Sequence, residues 1–207
     1  MNDITVEQGS YQWHEDRLGK VTASRVYDLM PGKRGAYRAS RKAYMLELLA
    51  ERITGRELDN YVSKAMEWGI QTEPLARSAY EAISGNIVTE VGFINHPTIP
   101  SFGASPDGLV GEKGGLEIKC PQQTTHLEVM STGDINPKYL YQMQTGMMCT
   151  GRKWWEYVDY DPRMPEFAQY YSRRVSADSV YFEQISREVR KFITELEEME
   201  SNIRGKA

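Results

Sequence analysis

The spacing of apolar residues changes near residue 86, and this change limits the chain to a mixed α/β fold. Before it, apolar residues recur at helical spacing, as in the segment 44–53, which Gly55 closes. After it, three segments rich in β-branched and other apolar residues predict strands: 87–94, 102–110 and 116–120. We therefore expect one α/β domain with a central mixed β-sheet flanked by helices.

Further elements follow the same two periods. A short helix from Thr22 or Ser24 should end at Pro31-Gly32, and a longer one should run from Ser63 to Gly85, where Pro74 either kinks it or starts a new segment. Near the C-terminus we expect a helix over 138–148, strands over 153–160 and 169–175, and a last helix over about 178–204.

The last helix carries an apolar seam that has two possible uses. Its apolar residues alternate at steps of four and three: Ile185, Val189, Phe192, Leu196, Met199 and Ile203. Such a seam packs either against its own domain or against another subunit. We favour the first use, with a domain core over about 11–175 and one domain over 1–207.

Several classes of protein are disfavoured by composition. No apolar run approaches the ~18 residues needed to cross a membrane, and the polar, acidic start of the chain does not look like a signal peptide. Two cysteines cannot form a four-cysteine metal site, and the three histidines lack metal-ligand spacing. We expect a cytoplasmic protein without a membrane partner.

Charge is unevenly distributed along the chain. The net charge is −4, yet eight basic residues lie between Arg17 and Lys42, where Asp28 is the one acidic residue. The tail beyond Asp178 is rich in glutamate. The basic segment either faces nucleic acid or forms a solvated helix surface.

Two carboxylates are predicted to face each other on one hairpin. In the segment 116–120, Glu117 and Lys119 alternate with apolar residues and so share one face of a strand. If the hairpin is centred on Glu112, Asp107 lies opposite Glu117, with Cβ atoms ~5 Å apart. An exposed strand face would explain Glu117 and Lys119, but two carboxylates this close repel unless a proton or a cation lies between them.

Oxygen ligands without histidine or cysteine suit Mg²⁺ or Mn²⁺ rather than zinc. The backbone carbonyl of Ile118 offers one more oxygen. Lys119 is placed to orient a water molecule and to stabilise negative charge on a phosphorus atom. Asp107, Glu117 and Lys119 thus predict metal-assisted hydrolysis of a phosphodiester.

Asp107, Glu117 and Lys119, with their neighbours, resemble the catalytic motif of the PD-(D/E)xK nuclease superfamily. A wider resemblance, over blocks from about residue 11 to 175, is to the phage lambda exonuclease and YqaJ-type viral recombinase family. The blocks occur in order: Trp13-His14, Arg17-Leu18-Gly19, Thr22-Ala23-Ser24, Trp68-Gly69 with Glu73, Ser105-Pro106-Asp107-Gly108-Leu109, Glu117-Ile118-Lys119-Cys120-Pro121, Gln142-Met143-Gln144 and Tyr160-Asp161-Pro162-Arg163-Met164. The resemblance implies a restriction-endonuclease-like nuclease core.

The resemblance also implies roles for single residues. Asp107, Glu117 and the Ile118 carbonyl match metal ligands, Lys119 matches the catalytic lysine, and Glu73 matches a helical glutamate that assists the metal. A pocket for the 5′-terminal phosphate is implied at Arg17, Ser24, Ser105 and Gln142. Contacts with DNA are implied at Lys33, Arg34 and Met66, the last as an apolar wedge between terminal base pairs, and Trp13 is expected to pack near DNA. The segment between Cys120 and Gln142 has no match, and no function is predicted for it.

The implied activity is Mg²⁺-dependent 5′–3′ digestion of linear double-stranded DNA, with Mn²⁺ as a substitute and one or two ions. It would release 5′-mononucleotides and leave a 3′ overhang for recombination by strand annealing. The resemblance further implies a homotrimer, a single-strand annealing protein as partner, and a phage or prophage gene acting in the bacterial cytoplasm. Two alternatives stay open: an endonuclease of the same superfamily, and a module that binds DNA ends without cutting.

Overall fold

The computed structural model describes residues 6–32, 34–58 and 63–206, and within them most helices of the first half precede a run of five strands. The helices are α1 (Tyr11–Arg17), α2 (Val26–Leu29), α3 (Ala39–Thr54), α4 (Lys64–Ser84), α5 (Gln123–Thr132), α6 (Pro137–Thr150) and α7 (Ser179–Arg204). The strands are β1 (Val21–Thr22), β2 (Val88–Thr89), β3 (Ile94–Asn95), β4 (Phe102–Ala104), β5 (Gly108–Val110), β6 (Gly114–Lys119), β7 (Trp154–Tyr160) and β8 (Tyr170–Ser176).

The strands of the described residues form two mixed sheets. The larger has the order β2-β5-β6-β7-β8, in which only β6 and β7 run parallel. The parallel pair requires a long crossover, which α5 and α6 provide. The smaller sheet has the order β1-β4-β3, with β1 parallel to β4. The predicted α/β class with a mixed sheet flanked by helices is confirmed, with the strands divided between two sheets.

Two of the predicted strands were too long. The segment 102–110 is divided into β4 and β5, which lie in different sheets, because residues 105–107 pass from one sheet to the other and Pro106 has no N–H for a ladder. The segment 87–94 is likewise divided into β2 and β3. A Cβ atom at Gly92 would lie 2.8 Å from the Val6 carbonyl oxygen, so the N-terminal segment packs against the backbone at this break.

Helix α4 continues through Pro74, so this proline does not start a new segment. The Ser63 side chain accepts from the Met66 N–H at the start, and Gly85 ends the helix in the left-handed conformation with φ 69°. Because Pro74 has no N–H, the Ile70 carbonyl receives no helical hydrogen bond from it. Ile70 is on the exposed side of the helix, where water can donate to this carbonyl instead.

The seam of α7 packs inside this chain. Ile185, Val189, Phe192 and Leu196 are buried with residues of α2 and α3, and the Phe192 ring stacks on Tyr44 with centroids 5.7 Å apart. Packing against its own domain, the favoured alternative, is therefore confirmed. No helix in the described ranges is long and apolar enough to cross a membrane.

Candidate active site

The hairpin of β5 and β6 has the predicted register. Gly108 pairs with Leu116 and Val110 with Gly114, so the hairpin is centred on Glu112. One step beyond the paired residues, the same register sets Asp107 opposite Glu117. The turn chemistry and the alternation of β6 thus place both carboxylates at one end of the hairpin.

Asp107 and Glu117 are held in different ways. Asp107 Oδ2 accepts a hydrogen bond of 2.6 Å from the Ile118 N–H, which fixes the carboxylate against β6. Glu117 is 2 % exposed, and its Oε1 lies 2.5 Å from Lys119 Nζ without an aligned hydrogen bond to any described residue. Glu117 is therefore a buried carboxylate with an unsatisfied oxygen, next to a lysine on the same strand face.

Helix α4 brings Glu73 to the same cleft. Its Oε1 accepts a hydrogen bond of 2.6 Å from Arg77, one turn later, and Arg77 also pairs with Glu90 at 2.9 Å. A proline at the next position does not displace Glu73 from the site, because the helix remains continuous there. Arg77 orients Glu73 toward the strand carboxylates, and this arginine was not identified from the sequence although its i,i+4 spacing signals the pair.

Burial raises the pKa of all three carboxyl groups, and repulsion from neighbouring carboxylates adds to the rise at Glu73 and Glu117. Burial, followed by repulsion from Asp107, raises the pKa of Glu73 to about 7. Burial also raises the pKa of Glu117 to about 8, with repulsion from Asp107 added to it and Lys119 opposing it. The pKa of Asp107 is raised by burial against the pull of Lys119 and the Ile118 N–H. For Lys119, burial opposes the positive charge, yet Glu117 and Asp107 outweigh it and raise the lysine pKa.

The residues at this end of the hairpin fit a hard divalent cation. Asp107, Glu117 and the Ile118 carbonyl offer oxygen ligands, Glu117 is buried with Lys119 as its ion-pair partner, and the raised carboxyl pKa values show that added positive charge would be stabilising. Within the described ranges, no group of three or more His, Cys, Asp and Glu side chains is arranged to hold a metal ion. Mg²⁺ matches this sparse set, because it is usually bound through one or two carboxylates and keeps several waters.

A cleft of about 710 Å³ opens in front of these groups. One wall is the N-terminal half of α4, with Met66, Trp68 and Glu73, and the other is the end of β6 with Asp107 and Lys119. Met66 is 52 % exposed at the edge of this cleft. The helix and the strand end thus bound a groove into which a polymer strand can enter from solvent.

A smaller cavity of about 160 Å³ lies on the other side of Asp107. Its lining includes every residue predicted for the terminal-phosphate pocket: Arg17, Ser24, Ser105 and Gln142, together with Gln8, Trp13, Thr22, Ala23 and Asp107. Trp13 Nε1 donates to Ser105 Oγ over 3.0 Å, and the Arg17 guanidinium lies 3.8 Å from the centre of the Trp13 ring. Trp13 therefore orients two other pocket residues.

Arg17 carries an uncompensated positive charge in this cavity. Its guanidinium makes no hydrogen bond or ion pair with any residue of the described ranges. Burial lowers its pKa, although Glu57, Tyr44 and Glu51 oppose that change. A half-buried guanidinium without an ion-pair partner among the described residues is stabilised when an anion or water completes its hydrogen bonds.

The structure describes one of the two basic residues that are predicted to contact DNA. Arg34 is exposed in the loop between α2 and α3 and lines neither cavity. Lys33 lies outside the described residues, so its predicted contact with DNA stays a prediction.

Gln8 is a pocket residue that the sequence did not reveal. Its Nε2 donates to the Val91 carbonyl over 3.1 Å and to the Pro106 carbonyl over 2.7 Å, across 83 and 98 residues. Gln8 thereby ties down the segment between Ser105 and Asp107. No local pattern signals such a contact.

A buried polar network supports the sheet behind Lys119. His126 Nδ1 lies 2.5 Å from Asp159 Oδ1, His126 Nε2 lies 2.7 Å from the Ala168 carbonyl, and Tyr157 donates to Asp159 Oδ2 over 2.6 Å. In the register of the parallel strands β6 and β7, Asp159 lies opposite Lys119. The network joins α5, β7 and the segment before β8, in the region for which no function was predicted.

Comparisons with known proteins agree with this geometry. The model of the YqaJ-like viral recombinase domain family matches residues 12–153. An alkaline exonuclease from Laribacter hongkongensis is 48 % identical, with a TM-score of 0.89 over 95 % of this chain and 97 % of that one. The crystal structure of that exonuclease in complex with dAMP has a TM-score of 0.90 at the same identity and coverage. A phage-related exonuclease from Haemophilus somnus 129PT shares the fold, with a TM-score of 0.67 at 14 % identity over 89 % of this chain and 96 % of that one. No curated protein sequence matches significantly.

Proposed function

The chain belongs to the YqaJ-like viral recombinase domain family, and from this premise we propose that it is a Mg²⁺-dependent 5′–3′ exonuclease of linear double-stranded DNA. It releases 5′-mononucleotides and leaves a 3′ single-stranded overhang for phage-type recombination by strand annealing. Mn²⁺ can replace Mg²⁺. The 48 % identity with an alkaline exonuclease supports the activity, and the two cavities support the polarity and the product.

One observation carries the proposal: the anion pocket and the carboxylate site are joined by a three-residue segment. Ser105 lines the pocket and Asp107 lines both the pocket and the cleft. Their Cα atoms are at most about 7 Å apart, because two residues of extended chain span no more. A 5′-phosphate held by Arg17 and Ser105 would therefore place the next phosphodiester of the same strand at Asp107 and Glu117. Hydrolysis there releases one nucleotide.

The chain's own residues divide the work in this reaction. Arg17, Ser24, Ser105 and Gln142 bind the terminal phosphate, and Asp107, Glu117 and the Ile118 carbonyl would hold Mg²⁺. When bound, such an ion polarises the phosphoryl oxygen and lowers the pKa of a coordinated water. Lys119 stays protonated beside Glu117 because the two carboxylates raise its pKa, so it acts as a hydrogen-bond donor and positive charge rather than as a base. Glu73, held by Arg77, adds a second-sphere carboxylate on the helix side.

The two alternatives predict different sites. An endonuclease has no use for a half-buried guanidinium that lacks an ion pair among the described residues and lines a cavity beside the carboxylates, since it cuts where no terminal phosphate exists. A non-cutting module has no use for three carboxyl groups with raised pKa values facing one lysine. Both features are explained together by cleavage next to a phosphorylated end.

The test is digestion of a linear duplex labelled at one 5′ end, either phosphorylated or carrying a hydroxyl group, with Mg²⁺ or with EDTA. We expect labelled mononucleotide as the first product, only with the metal, and faster from the phosphorylated end. Arg17→Ala should remove the difference between the two ends while leaving slow digestion. Labelled fragments longer than one nucleotide would favour the endonuclease, and binding without cleavage would favour the end-binding module.

We further propose that the protein is a homotrimer, acts in the cytoplasm of a bacterial host from a phage or prophage gene, and works with a single-strand annealing protein. The seam of α7 is used within the chain, so subunit contacts require another surface. Exposed apolar residues elsewhere include Ile70, Leu75, Ile83, Ile87 and Phe167. Light scattering at low micromolar concentration should give the trimer mass, and a monodisperse monomer would contradict it. Co-elution with a purified phage single-strand annealing protein tests the partner.

A further inference from the structure

Arg163 joins three segments that border the main cleft. Its Nε and Nη2 donate to both oxygens of the buried Asp161 carboxylate over 2.8 and 2.7 Å, and Nη2 also lies 3.3 Å from the Pro121 carbonyl. Its Cζ lies 4.1 Å from the centre of the Trp68 ring in α4. Pro121 follows Lys119 by two residues, so one guanidinium links the helical wall of the cleft to the catalytic strand.

The two halves of α4 are attached to the protein differently. Thr72, Ala76 and Tyr80 are the buried residues of α4, and Ala76 and Tyr80 pack against Leu116 and Ile118 of β6. In contrast, none of residues 64–71 is buried. Pro74 lies at the junction and removes one backbone hydrogen bond there.

Apart from the Ser63 hydroxyl that caps the helix at Met66, the stack of Arg163 on Trp68 is the one aromatic, hydrogen-bond or ion contact that a side chain from elsewhere in the described ranges makes with residues 64–71. This half carries Met66 and precedes Glu73, both of which line the cleft. In the described ranges, Arg163 is therefore the one long-range polar contact that ties this half of α4 to the catalytic sheet.

We propose that Arg163 is a positioning residue that clamps the N-terminal half of α4 against the catalytic sheet and so sets the distance between the helical wall and Lys119. This proposal rests on the proposed nuclease activity and names a residue on which its rate depends. Arg163 is chosen for geometry as well as charge: a planar guanidinium stacks on an indole and grips a carboxylate with two hydrogen bonds, and lysine does neither.

The chain offers a matched control at the opposite end of β7: Trp154 begins this strand, whereas Asp161 and Arg163 follow its end. Arg174 lies 3.9 Å from the centre of the Trp154 ring and pairs with Glu156 at 3.1 Å, which repeats the chemistry of Arg163, Trp68 and Asp161. Arg174 lines neither the main cleft nor the phosphate cavity. Arg163→Lys and Arg174→Lys are thus the same chemical change at equivalent stacks.

The experiment measures kcat and KM for release of nucleotides from 5′-phosphorylated duplex DNA, with Mg²⁺, in both variants and the parent protein. For Arg163→Lys we expect kcat to fall about tenfold or more, because a displacement of reacting groups by ~1 Å can cost on the order of 10²-fold. KM and the preference for phosphorylated ends should stay within about threefold, since the charge and the phosphate cavity are intact. Arg174→Lys should resemble the parent protein.

Two further variants separate positioning from folding. Trp68→Phe keeps an aromatic face and should retain most of kcat. Trp68→Leu should lose as much kcat as Arg163→Lys does, and the double variant should lose little more than either single variant. An unchanged kcat in Arg163→Lys, or an equal loss in Arg174→Lys, would overturn the clamp. A raised KM with a smaller salt dependence at unchanged kcat would overturn it in favour of a direct phosphate contact. An inactive parent protein would instead contradict the proposed nuclease itself.

Discussion

Replacing Glu117 with glutamine should stabilise the metal-free protein while abolishing its activity. Burial and repulsion from Asp107 raise the pKa of Glu117 from 4.5 to about 8. Because the folded-state pKa lies above the unfolded value, folding favours the protonated carboxyl group. The resulting cost of Glu117 is absent below pH 4.5, grows through the window up to about pH 8, and then stays constant. Glutamine resembles the protonated form at every pH and avoids this cost.

The size of the effect follows from the same shift. One pH unit corresponds to about 1.4 kcal/mol. The free energy of unfolding of Glu117→Gln should therefore be higher than that of the parent protein by less than about 1 kcal/mol at pH 5, by roughly 3 kcal/mol at pH 7 and by roughly 5 kcal/mol above pH 8. For a chain of this size, the value at pH 7 corresponds to a Tm increase of roughly 6–12 °C.

The assay is thermal and urea unfolding in EDTA at pH 5, 7 and 8.5, with the variant and the parent protein measured together so that shared titrations cancel. Mg²⁺ should then raise the Tm of the parent protein and leave that of Glu117→Gln nearly unchanged, because a site that loses a ligand binds the ion weakly. A variant that is less stable than the parent at pH 8.5, or a difference that is equal at pH 5 and 8.5, would refute this reasoning.

Three more predictions test separate parts of the structure. Lys119→Met should lower the single-turnover rate on the order of 10²–10³-fold. Its Kd for DNA, measured by fluorescence anisotropy, should stay within threefold of the parent value, and a comparable loss of affinity would contradict the role assigned to Lys119. Ser105→Ala removes the acceptor of the Trp13 indole N–H and a donor to the phosphate, and should reduce the kcat/KM ratio between phosphorylated and hydroxyl ends about tenfold; an unchanged ratio would remove Ser105 from the pocket. Gly115→Ala sets a methyl group against the buried Trp155 ring and should lower the free energy of unfolding, measured in urea, by roughly 1–3 kcal/mol. In Gly69→Ala the new methyl group meets no atom within 4 Å, so the better helix former should raise the free energy of unfolding by about 1 kcal/mol. Equal effects of the two substitutions would contradict the packing.

Features that depend on neighbouring residues were predictable from the sequence. The hairpin register follows from a turn at Glu112 and the alternation of β6, so Asp107 was placed opposite Glu117 correctly. The caps at Ser63, Gly55 and Gly85 follow from local backbone chemistry and are confirmed. Grouping the predicted pocket residues required the family resemblance, because Arg17 and Gln142 are far apart in the chain and no local pattern connects them.

Features that depend on tertiary packing were not predictable. The segment 102–110 reads as one apolar strand, and only the crossing between two sheets divides it at Ser105–Asp107. Gln8 acts through contacts with residues more than 80 positions away. Arg163 lies in a block that the family resemblance singled out and pairs with its neighbour Asp161, but its stack on Trp68 joins distant segments and is not visible in the local sequence. The role of Met66 as a wedge and the contacts of Lys33 and Arg34 with DNA stay predictions that require the complex.

The most direct test of the account is the initial rate of nucleotide release from linear 5′-phosphorylated duplex DNA, at saturating Mg²⁺, in Glu117→Gln and in Glu112→Gln. Glu112 is an exposed carboxylate at the turn of the same hairpin, so it controls for the loss of one negative charge. The account predicts no detectable release from Glu117→Gln and the full parental rate from Glu112→Gln. Substantial release by folded Glu117→Gln would contradict the claim that Asp107, Glu117 and Lys119 form the hydrolytic centre.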